Sequence, residues 1–334
     1  MGSGLSQGPR AWLASPARLH GLALGSVIAN VTIVITGGAV RLTGSGLGCP
    51  TWPRCTDDSY TPTPAMGING VIEYANRTLT GVLAVIAVLG VVVALGQRPR
   101  RQRVVRLSVL VLLGIPAQAL LGGVTVLTNL NPWVVGCHFL LSMGIIAAAY
   151  AFYRSTQEGD EPAEPVVPRP LRHLAGVLIG VAAAVLAAGT VVTGSGPHAG
   201  DENAKRTGLD PETVSQLHAD LVFLLLGVSV ALWFALRAVD APPVARRAAT
   251  VLIGIELAQG VIGVVQYATN LPALIVGLHM AGACAVWLAT LAVWFATRTR
   301  ATLPHDGDIV LRAAITPSAS TTTPTPANAR NGAR

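Results

Sequence analysis

Eight long apolar stretches, separated by short polar breaks, dominate the pattern of hydrophobic and polar residues in this chain. Each contains about 20 residues, enough for a helix to cross a hydrocarbon core of ~30 Å. The first resembles a signal peptide, but no convincing cleavage site follows, so we interpret it as a helix. The pattern predicts eight transmembrane helices over residues 20–40, 78–96, 104–127, 134–153, 174–193, 214–236, 248–268 and 274–296.

The third and fourth stretches have a close counterpart in the seventh and eighth. Residues 114–143 and 255–284 match without a gap, at a constant offset of 141 positions. The shared residues are Gln118 and Gln259, Gly122 and Gly263, the Thr-Asn-Leu runs at 128–130 and 269–271, Gly136 and Gly277, and His138 and His279. A Thr-Gly-Ser-Gly at 43–46 and 193–196 extends the similarity. The match indicates a duplicated protein with one site in each half.

The duplication predicts the fold class. Each half holds an even number of helices, so both copies run in the same direction across the membrane. We predict an all-α integral membrane protein of two tandem four-helix bundles, related by a pseudo-two-fold axis along the membrane normal. The expected segments are an N-terminal segment 1–19, a first half 20–154, a linker 155–171, a second half 172–297 and a tail 298–334, disordered because it is rich in Thr, Pro and Ala.

Composition and charge agree with this reading. Of the 334 residues, 51% are hydrophobic and 12% are charged, about half the charged share of a soluble domain. The net charge of +7 comes largely from arginines in the short loops on one side, which places both termini in the cytoplasm. The charge is therefore mainly topological, and no folded basic surface supports nucleic-acid binding.

The first outer loop carries two cysteines, Cys49 and Cys55. The outer face is oxidising, so a disulfide between them is the favoured state. A loop staple and a redox role both remain open, whereas zinc is disfavoured because two thiolates fill only half of its usual ligand shell. Cys137 and Cys284 lie in apolar helices and are interpreted as small buried hydrophobic residues.

Three histidines follow an outer loop by a few residues: His138, His218 and His279. All three are expected about one helical turn inside the membrane, at the same level. His218 and His279 come from helices that run the same way, so they can form an axial pair for heme iron across a bundle. An interhelical hydrogen bond explains any single histidine as well. In the first half, the residue that corresponds to His218 is Asn76, and an amide is a poor iron ligand.

Two carboxylates lie within predicted helices. Glu73 and Asn76 are three residues apart and share one helical face, with Arg77 beside them. An ionisable group at membrane depth costs about 2.5–3.5 kcal/mol, which marks Glu73 as a functional candidate; the alternative is a shallow carboxylate that pairs with Arg77. Glu256 has no counterpart in the first half, and we do not assign it a catalytic role.

These motifs together resemble the heme A synthase family of membrane enzymes, over residues 18–297. The motifs that carry the resemblance are GGAVRLTGSGLGC at 37–49, IEYANR at 72–77, TNLNPWVVGCHF at 128–139, TGSGPHAGD at 193–201, LHAD at 217–220 and TNLPALIVGLHM at 269–280. One departure is Asn76, where the better-known motif has a histidine. That departure speaks against a bis-histidine site in the first half.

The resemblance implies the site residues and the reaction. It implies heme b held by His218 and His279, substrate heme O in the first half with His138 at the position of the family's helix-4 histidine, Glu73 as the functional carboxylate, and a Cys49–Cys55 pair. Asn76, where this sequence departs from the family, is our own candidate residue for the same substrate site. The reaction would be two oxidations of the C8 methyl of heme O, through a hydroxymethyl and a gem-diol, to the formyl of heme A. Cationic candidates for the heme propionates are Arg41, Arg77, Lys205 and Arg206.

Two other functions are compatible with parts of the sequence. A diheme cytochrome b that only transfers electrons would need similar ligands in both halves, and Asn76 argues against it. A transporter of parallel repeats would carry its polar groups near the midplane, whereas here they lie near the outer face. The expected location is a bacterial cell membrane, and the expected partners are heme O synthase, cytochrome oxidase assembly factors and a quinone or another electron acceptor.

Overall fold

The structure is a computed structural model that describes residues 15–300. The predicted disordered stretch, 301–334, and most of the N-terminal segment lie outside the described residues. Within them the protein is all-α apart from a two-residue ladder, and eight helices are long and apolar enough to cross a membrane. The predicted number of spans and the all-α membrane class are confirmed.

The helices occupy most of the described chain. They are α1 (Pro16–Leu42), α2 (Gly67–Gly96), α3 (Gln102–Leu127), α4 (Pro132–Gln157), α5 (Arg169–Ser195), α6 (Pro211–Ala238), α7 (Pro243–Ala268) and α8 (Ala273–Ala296). A 3₁₀ turn, Pro64–Met66, precedes α2. The apolar pattern placed each helix, but α2 begins eleven residues before its predicted window. Its first turns carry Glu73, Asn76 and Arg77, which a search for apolar residues passes over.

Helix contacts divide the eight helices into two sets of four. In the first set α1 contacts α2 and α4, and α3 contacts α2 and α4; α5 to α8 repeat this pattern. The sets meet through α4 with α5, α1 with α8, and α4 with α8. Two adjacent four-helix groups would give these contacts, and the two-fold axis that relates them stays a prediction, as do the predicted segment boundaries.

The main hydrophobic core lies in the second set and extends into the first. Leu178, Leu232 and Leu252 are fully buried in it, and Met143 and Ile146 of α4 belong to the same cluster. By contrast, many large apolar side chains on the outward faces are more than half exposed, including Val85, Val261 and Val264. Such a surface suits the hydrocarbon core of a membrane, as do the length and hydropathy of the eight helices.

The two ends of the helices differ in chemistry. We call the end that holds the Thr-Asn-Leu turns the histidine end, and the opposite end the arginine end. At the arginine end, Glu158 forms ion pairs with Arg103 at 2.7 Å and with Arg154 and Arg300 at 3.6 Å. Here strand β1 (Glu164–Pro165) pairs antiparallel with strand β2 (Arg298–Thr299), so the linker between the two sets contacts the segment after α8.

Candidate functional site

The Thr-Asn-Leu turns set the level of two histidines. In both turns the Asn and Leu residues adopt positive φ, between 50° and 61°, which lets the chain end one helix and start the next within a few residues. Leu130 donates its N–H to the Thr125 carbonyl at 2.8 Å, and Leu271 donates to the Gln266 carbonyl at 2.7 Å. Two positive-φ residues in succession are unusual outside glycine. Their recurrence shows that the duplicated sequences fold into the same turn.

Each turn is followed by a histidine at nearly the same depth. His138 and His279 are each six residues into their helices, and His218 is seven residues into α6. At 1.5 Å per residue these positions lie roughly 9–10 Å from the start of each helix. The three side chains therefore lie at similar distances from the starts of their helices, and their depth in the membrane stays a prediction.

A glutamine fixes the backbone at each of the two repeated histidines. Gln118 of α3 donates from Nε2 to the carbonyl of His138 at 2.8 Å, and Gln259 of α7 donates to the carbonyl of His279 at 2.5 Å. The repeat identified both glutamines in the sequence, but not the groups that they bind. They position the histidine backbone and leave the imidazole ring free for another partner.

A glycine lies against each imidazole. A Cβ added at Gly122 would stand 3.0 Å from Cε1 of His138, one at Gly189 would stand 3.2 Å from Cε1 of His218, and one at Gly263 would stand 3.3 Å from Cε1 of His279. Each ring therefore packs edge-on against a helix at a residue without a side chain. Gly122 and Gly263 are visible in the repeat, whereas Gly189 was missed because the first and fifth helices align only through Thr-Gly-Ser-Gly.

His218 and His279 face each other in the second set. Their ring centroids are 6.4 Å apart and the ring planes make an angle of 71°. Two metal–nitrogen bonds of about 2.0 Å, with roughly 1.1 Å from each nitrogen to its ring centre, place the centres of two axial imidazoles about 6.2 Å apart. The spacing therefore fits a metal ion between the rings. Among residues 15–300, no group of three or more His, Cys, Asp or Glu side chains could hold a metal ion by itself. A metal between these two rings would therefore need further ligands from a macrocycle.

The buried ring nitrogens also fit ligation. The Nδ1 atoms of His138, His218 and His279 are buried, and none makes an aligned hydrogen bond within the described chain. His218 lies within electrostatic reach of the Val185 carbonyl, although the geometry falls short of a hydrogen bond. Buried polar nitrogens without a partner are costly, and such groups in a native structure point to a ligand or ion.

The first set differs at the position of the second histidine. Asn76 accepts a hydrogen bond from the Thr36 hydroxyl at 2.7 Å, and its amide nitrogen lies 3.8 Å from a Cβ added at Gly37. No aromatic ring contacts His138 within the part of the chain that the structure describes. The two sets thus share the turn, the glutamine and the glycine, and differ in the residue opposite the repeated histidine.

Glu73 is buried and both of its carboxylate oxygens are engaged. Its Oε2 accepts the backbone N–H of Cys49 at 2.6 Å, and its Oε1 accepts two bonds from Arg77 at 2.5 and 3.0 Å. Of the two interpretations of Glu73, the structure bears out the pairing with Arg77. The side chain is only 8% exposed, so this is not a solvated surface pair.

Arg77 joins that carboxylate to the first loop at the histidine end. Besides Glu73, it donates to the backbone carbonyls of Cys49, Thr51 and Arg54 at 3.0 to 3.2 Å. All five guanidinium donors are used in this way. Propionate binding by Arg77 stays a prediction that requires one of these bonds to be exchanged.

The predicted disulfide is present and lies over the same cluster. Cys49 and Cys55 are bonded, with their Cα atoms 4.4 Å apart. The bonded loop also places Trp52 against Gly123 of α3, where a Cβ would overlap the indole. The disulfide loop therefore packs on both α2 and α3 and holds Glu73 through the Cys49 amide. The other cysteines differ: Cys284 is buried as predicted, but the prediction for Cys137 was wrong, because it is exposed beside the inward-facing His138.

One arginine joins the two sets, and a second holds the loop that it contacts. Arg41 at the end of α1 donates to the carbonyls of His198 at 2.5 Å and Thr193 at 2.8 Å, both in the second set. Arg206 donates to the carbonyls of Ala204 and Pro197. Lys205 is exposed. These contacts were not predictable from the sequence, because they depend on how two distant loops pack.

Glu256 lies apart from these groups, inside the second set. Its Oε1 accepts a hydrogen bond from the Ser229 hydroxyl at 2.8 Å, and its Oε2 is buried without a partner in the described residues. The bond between Ser229 and Glu256 joins α6 to α7. Glu256 has no counterpart in the first half. The structure brings Glu73, not Glu256, to the histidine end.

Three curated relatives, each named heme A synthase, match parts of the chain. The protein from Bacillus licheniformis is 30% identical over 127 residues, which cover 37% of this chain and 41% of the relative. The protein from Alkalihalophilus pseudofirmus is 28% identical over 173 residues, covering 50% and 58%, and that from Listeria welshimeri is 30% identical over 115 residues, covering 34% and 37%. In each case the match spans less than two thirds of the relative's own length.

A family model spans far more of the chain. The model of the COX15-CtaA family, described as cytochrome oxidase assembly protein, matches residues 20–291. That range begins in α1 and ends in α8, so it contains both sets of helices, every turn and every candidate residue described above. The chain belongs to the COX15-CtaA family of cytochrome oxidase assembly proteins.

Proposed function

We propose that this protein is a heme A synthase, which oxidises the C8 methyl of heme O to the formyl of heme A. Membership of the COX15-CtaA family and the similarity to three proteins named heme A synthase support the proposal. One observation carries it: His218 and His279 lie at the spacing of an axial pair, 6.4 Å, whereas the equivalent pair in the first set is His138 and Asn76. The second set is suited to a permanently bound heme, and the first set to a heme that is bound as substrate and released as product.

In this proposal His218 and His279 hold heme b in the second set. Bound there, heme b would supply one-electron redox chemistry and carry electrons away from the substrate. The protein contributes the level of the two rings, the Gln259 bond to the His279 backbone and the glycine surfaces at Gly189 and Gly263. Rings held this way keep their orientation without using their own nitrogens.

The substrate, heme O, binds in the first set with His138 as its iron ligand. Asn76 is held by Thr36 and offers only an amide, which leaves the opposite face of the substrate without a strong ligand. Weaker ligation allows the substrate to enter and the product to leave. The family resemblance and the shared turn support the placement of heme O here.

The reaction removes two electron pairs from the same carbon. In the first step the methyl and one water molecule together lose two electrons and two protons, which gives a hydroxymethyl. In the second step the hydroxymethyl and another water molecule lose two more of each to give a gem-diol, which loses water to form the formyl. Two molecules of a quinone, or of another two-electron oxidant, accept the four electrons.

Glu73 is the carboxylate that we assign to this chemistry. A carboxylate near the reacting methyl stabilises positive charge on the carbon or accepts its proton. Arg77 and the Cys49 amide hold the Glu73 side chain in place, and the Cys49–Cys55 disulfide fixes the loop that supplies the amide. Transfer of a proton to Glu73 requires that one of these bonds be released.

The remaining assignments concern charge and location. Arg41, Arg77, Lys205 and Arg206 are the cationic candidates for the propionates; Arg41, at the end of α1, contacts the loop of the second set on which Arg206 lies. We place both termini in the cytoplasm and the histidine end at the outer face of a bacterial membrane, from the arginine distribution. Heme O synthase and cytochrome oxidase assembly factors are the proposed partners.

Extraction of the porphyrins tests the function directly. The full-length protein should carry heme b after purification and should convert supplied heme O to hydroxymethyl and formyl products. A protein that contains only heme B and forms no product would favour an electron-transfer cytochrome instead. A protein without any heme would exclude both functions.

A further inference from the structure

A second candidate site lies at the arginine end, between α6 and α7. A cleft of about 430 Å³ is lined by Arg237, Arg246, Arg247 and Thr250. Arg237 is in the last turn of α6, and Arg246 and Arg247 are near the start of α7. Three guanidinium groups thus border one opening that has no part in the heme chemistry.

Among residues 15–300, no carboxylate balances the charge in this cleft. None of the three arginines forms an ion pair within residues 15–300, and Asp240, the acidic residue in the connecting turn, does not pair with them. The start of α7 adds to the positive potential, because a helix N-terminus carries a partial positive charge. An arrangement of this kind favours a bound anion, and arginine binds phosphate oxygens in a bidentate manner.

The first set provides an internal comparison. Two of its arginines at the same end pair with acids of the linker: Arg103 with Glu158 at 2.7 Å, and Arg101 with Asp160 at 3.5 Å. Arg101 also donates to the carbonyl of Ser155. Within residues 15–300 the linker thus supplies carboxylates to Arg101 and Arg103, and no carboxylate pairs with the arginines between α6 and α7.

Aromatic and apolar groups beside the cleft indicate the kind of anion. The guanidinium of Arg237 lies 4.0 Å from the ring centre of Trp233, and the indole N–H donates to the Thr250 hydroxyl at 2.8 Å. Phe234 packs against Trp233 and is 62% exposed, and Val244 is 68% exposed. A tryptophan at a helix end is typical of the membrane interface. The apolar surface next to the charges suits an acyl chain, which a free phosphate lacks.

We propose that this cleft binds the phosphodiester head group of an anionic phospholipid. The arginines contact the phosphate, and the exposed Phe234 and Val244 contact the acyl chains. Basic pockets between transmembrane helices bind anionic head groups in this way. The lipid would complete the charge balance between α6 and α7 that Glu158 and Asp160 provide in the first set.

Native mass spectrometry of the delipidated, full-length protein tests the site. Phosphatidylglycerol should bind more tightly than phosphatidylcholine, and Arg246→Gln/Arg247→Gln should weaken phosphatidylglycerol binding about 10- to 30-fold. The matched control is Arg100→Gln/Arg106→Gln, which removes the same charge from the same end of the first set and should leave the affinity unchanged. The exposed Arg247→Gln alone, expected to give a smaller loss, keeps the test available if the double variant does not fold.

Three results would overturn the proposal. Equal binding of the two lipids by the wild-type protein would show that the head-group charge is not recognised. Equal losses in the site variant and in the control variant would show a general effect of surface charge. Glycerol phosphate that binds as tightly as phosphatidylglycerol would assign the cleft to a free phosphate instead of a lipid.

Discussion

The histidine sites of the two sets share their supports and differ in one ligand. His138 and His279 each follow a positive-φ turn, each backbone carbonyl accepts a hydrogen bond from a glutamine at a repeated position, and each ring packs against a glycine at a repeated position. Opposite them stand Asn76 in one set and His218 in the other. Since the supports are retained in both sets, the difference in function lies in the second residue and in the loop above it.

The loops above the sites differ as well. The first set has the disulfide loop, which binds Glu73 and Arg77 and places Trp52 on α3. The second set has the loop at 196–210, which is held by Arg41 and Arg206 and carries His198, whose ring bonds to the Leu271 carbonyl at 2.8 Å. Among the described residues, a buried carboxylate at the histidine end, Glu73, accompanies the site that lacks a second histidine. This combination suits a substrate site better than a second electron carrier.

The largest expected effect is the loss of the histidine pair in the second set. His279→Ala should remove the low-spin heme signal in optical and electron paramagnetic resonance spectra, because one axial imidazole is deleted. His138→Ala, the matched change in the first set, should retain that signal. If the signal persists in His279→Ala, the pair does not hold the heme.

Glu73→Gln should have the next largest effect. The amide keeps the size of the side chain but removes the charge, so turnover of heme O should fall about 10²- to 10⁴-fold. The low-spin signal of the second set should remain. Product formation per bound heme b is the measurement, and Glu256→Gln, which changes a buried carboxylate of the second set, is the control. Unimpaired turnover in Glu73→Gln would exclude this carboxylate from the chemistry.

Asn76→His would make the two sites more alike. It places an imidazole at the position that corresponds to His218, so a second low-spin signal should appear when the protein is supplied with heme. Turnover should decrease, because the substrate iron gains a strong second ligand. A spectrum identical to that of the wild-type protein would show that the helices of the first set do not hold position 76 opposite His138.

The smallest effect concerns the glycine surface. Gly263→Ala places a Cβ 3.3 Å from the His279 ring, and such overpacking costs about 1–3 kcal/mol. The low-spin signal should shift and the thermal midpoint should fall. Gly260→Ala is the control on the same helix, because a Cβ there meets nothing within 4 Å. Gly122→Ala should instead lower turnover and leave the signal in place, and equal effects of both alanines on the signal would contradict separate roles for the two sites.

Much of the fold was predictable because membrane helices depend on local composition. The apolar windows placed α3 and α8 to within two residues at both ends. The start of α2 was missed by eleven residues, since the polar Glu73 and Arg77 interrupt the apolar pattern. The β1–β2 ladder joins residues more than 130 positions apart, and nothing local in either segment marks it.

The sequence predicted those residues of the candidate site that occur in both halves of the repeat, and did not predict the backbone contacts that hold the site together. The offset of 141 positions identified His138, His279, Gln118 and Gln259 without any structure. The bonds from Arg77 to the loop carbonyls and from Arg41 to Thr193 depend on backbone groups, which carry no residue-specific signal. Gly189 was missed for a related reason, because its neighbour His218 is distant in sequence.

The ladder between β1 and β2 has a consequence for how the chain can be rearranged. It brings the segment before α5 into hydrogen-bonding contact with the segment after α8, so helices α5 to α8 begin and end at neighbouring points. A unit whose ends are adjacent can be inserted into, or permuted within, another chain with little change to its surroundings. Helices α5 to α8 therefore have adjacent ends, as a unit suited to circular permutation does. A new connection between residues 164 and 299 would need to span only the distance between two paired strands.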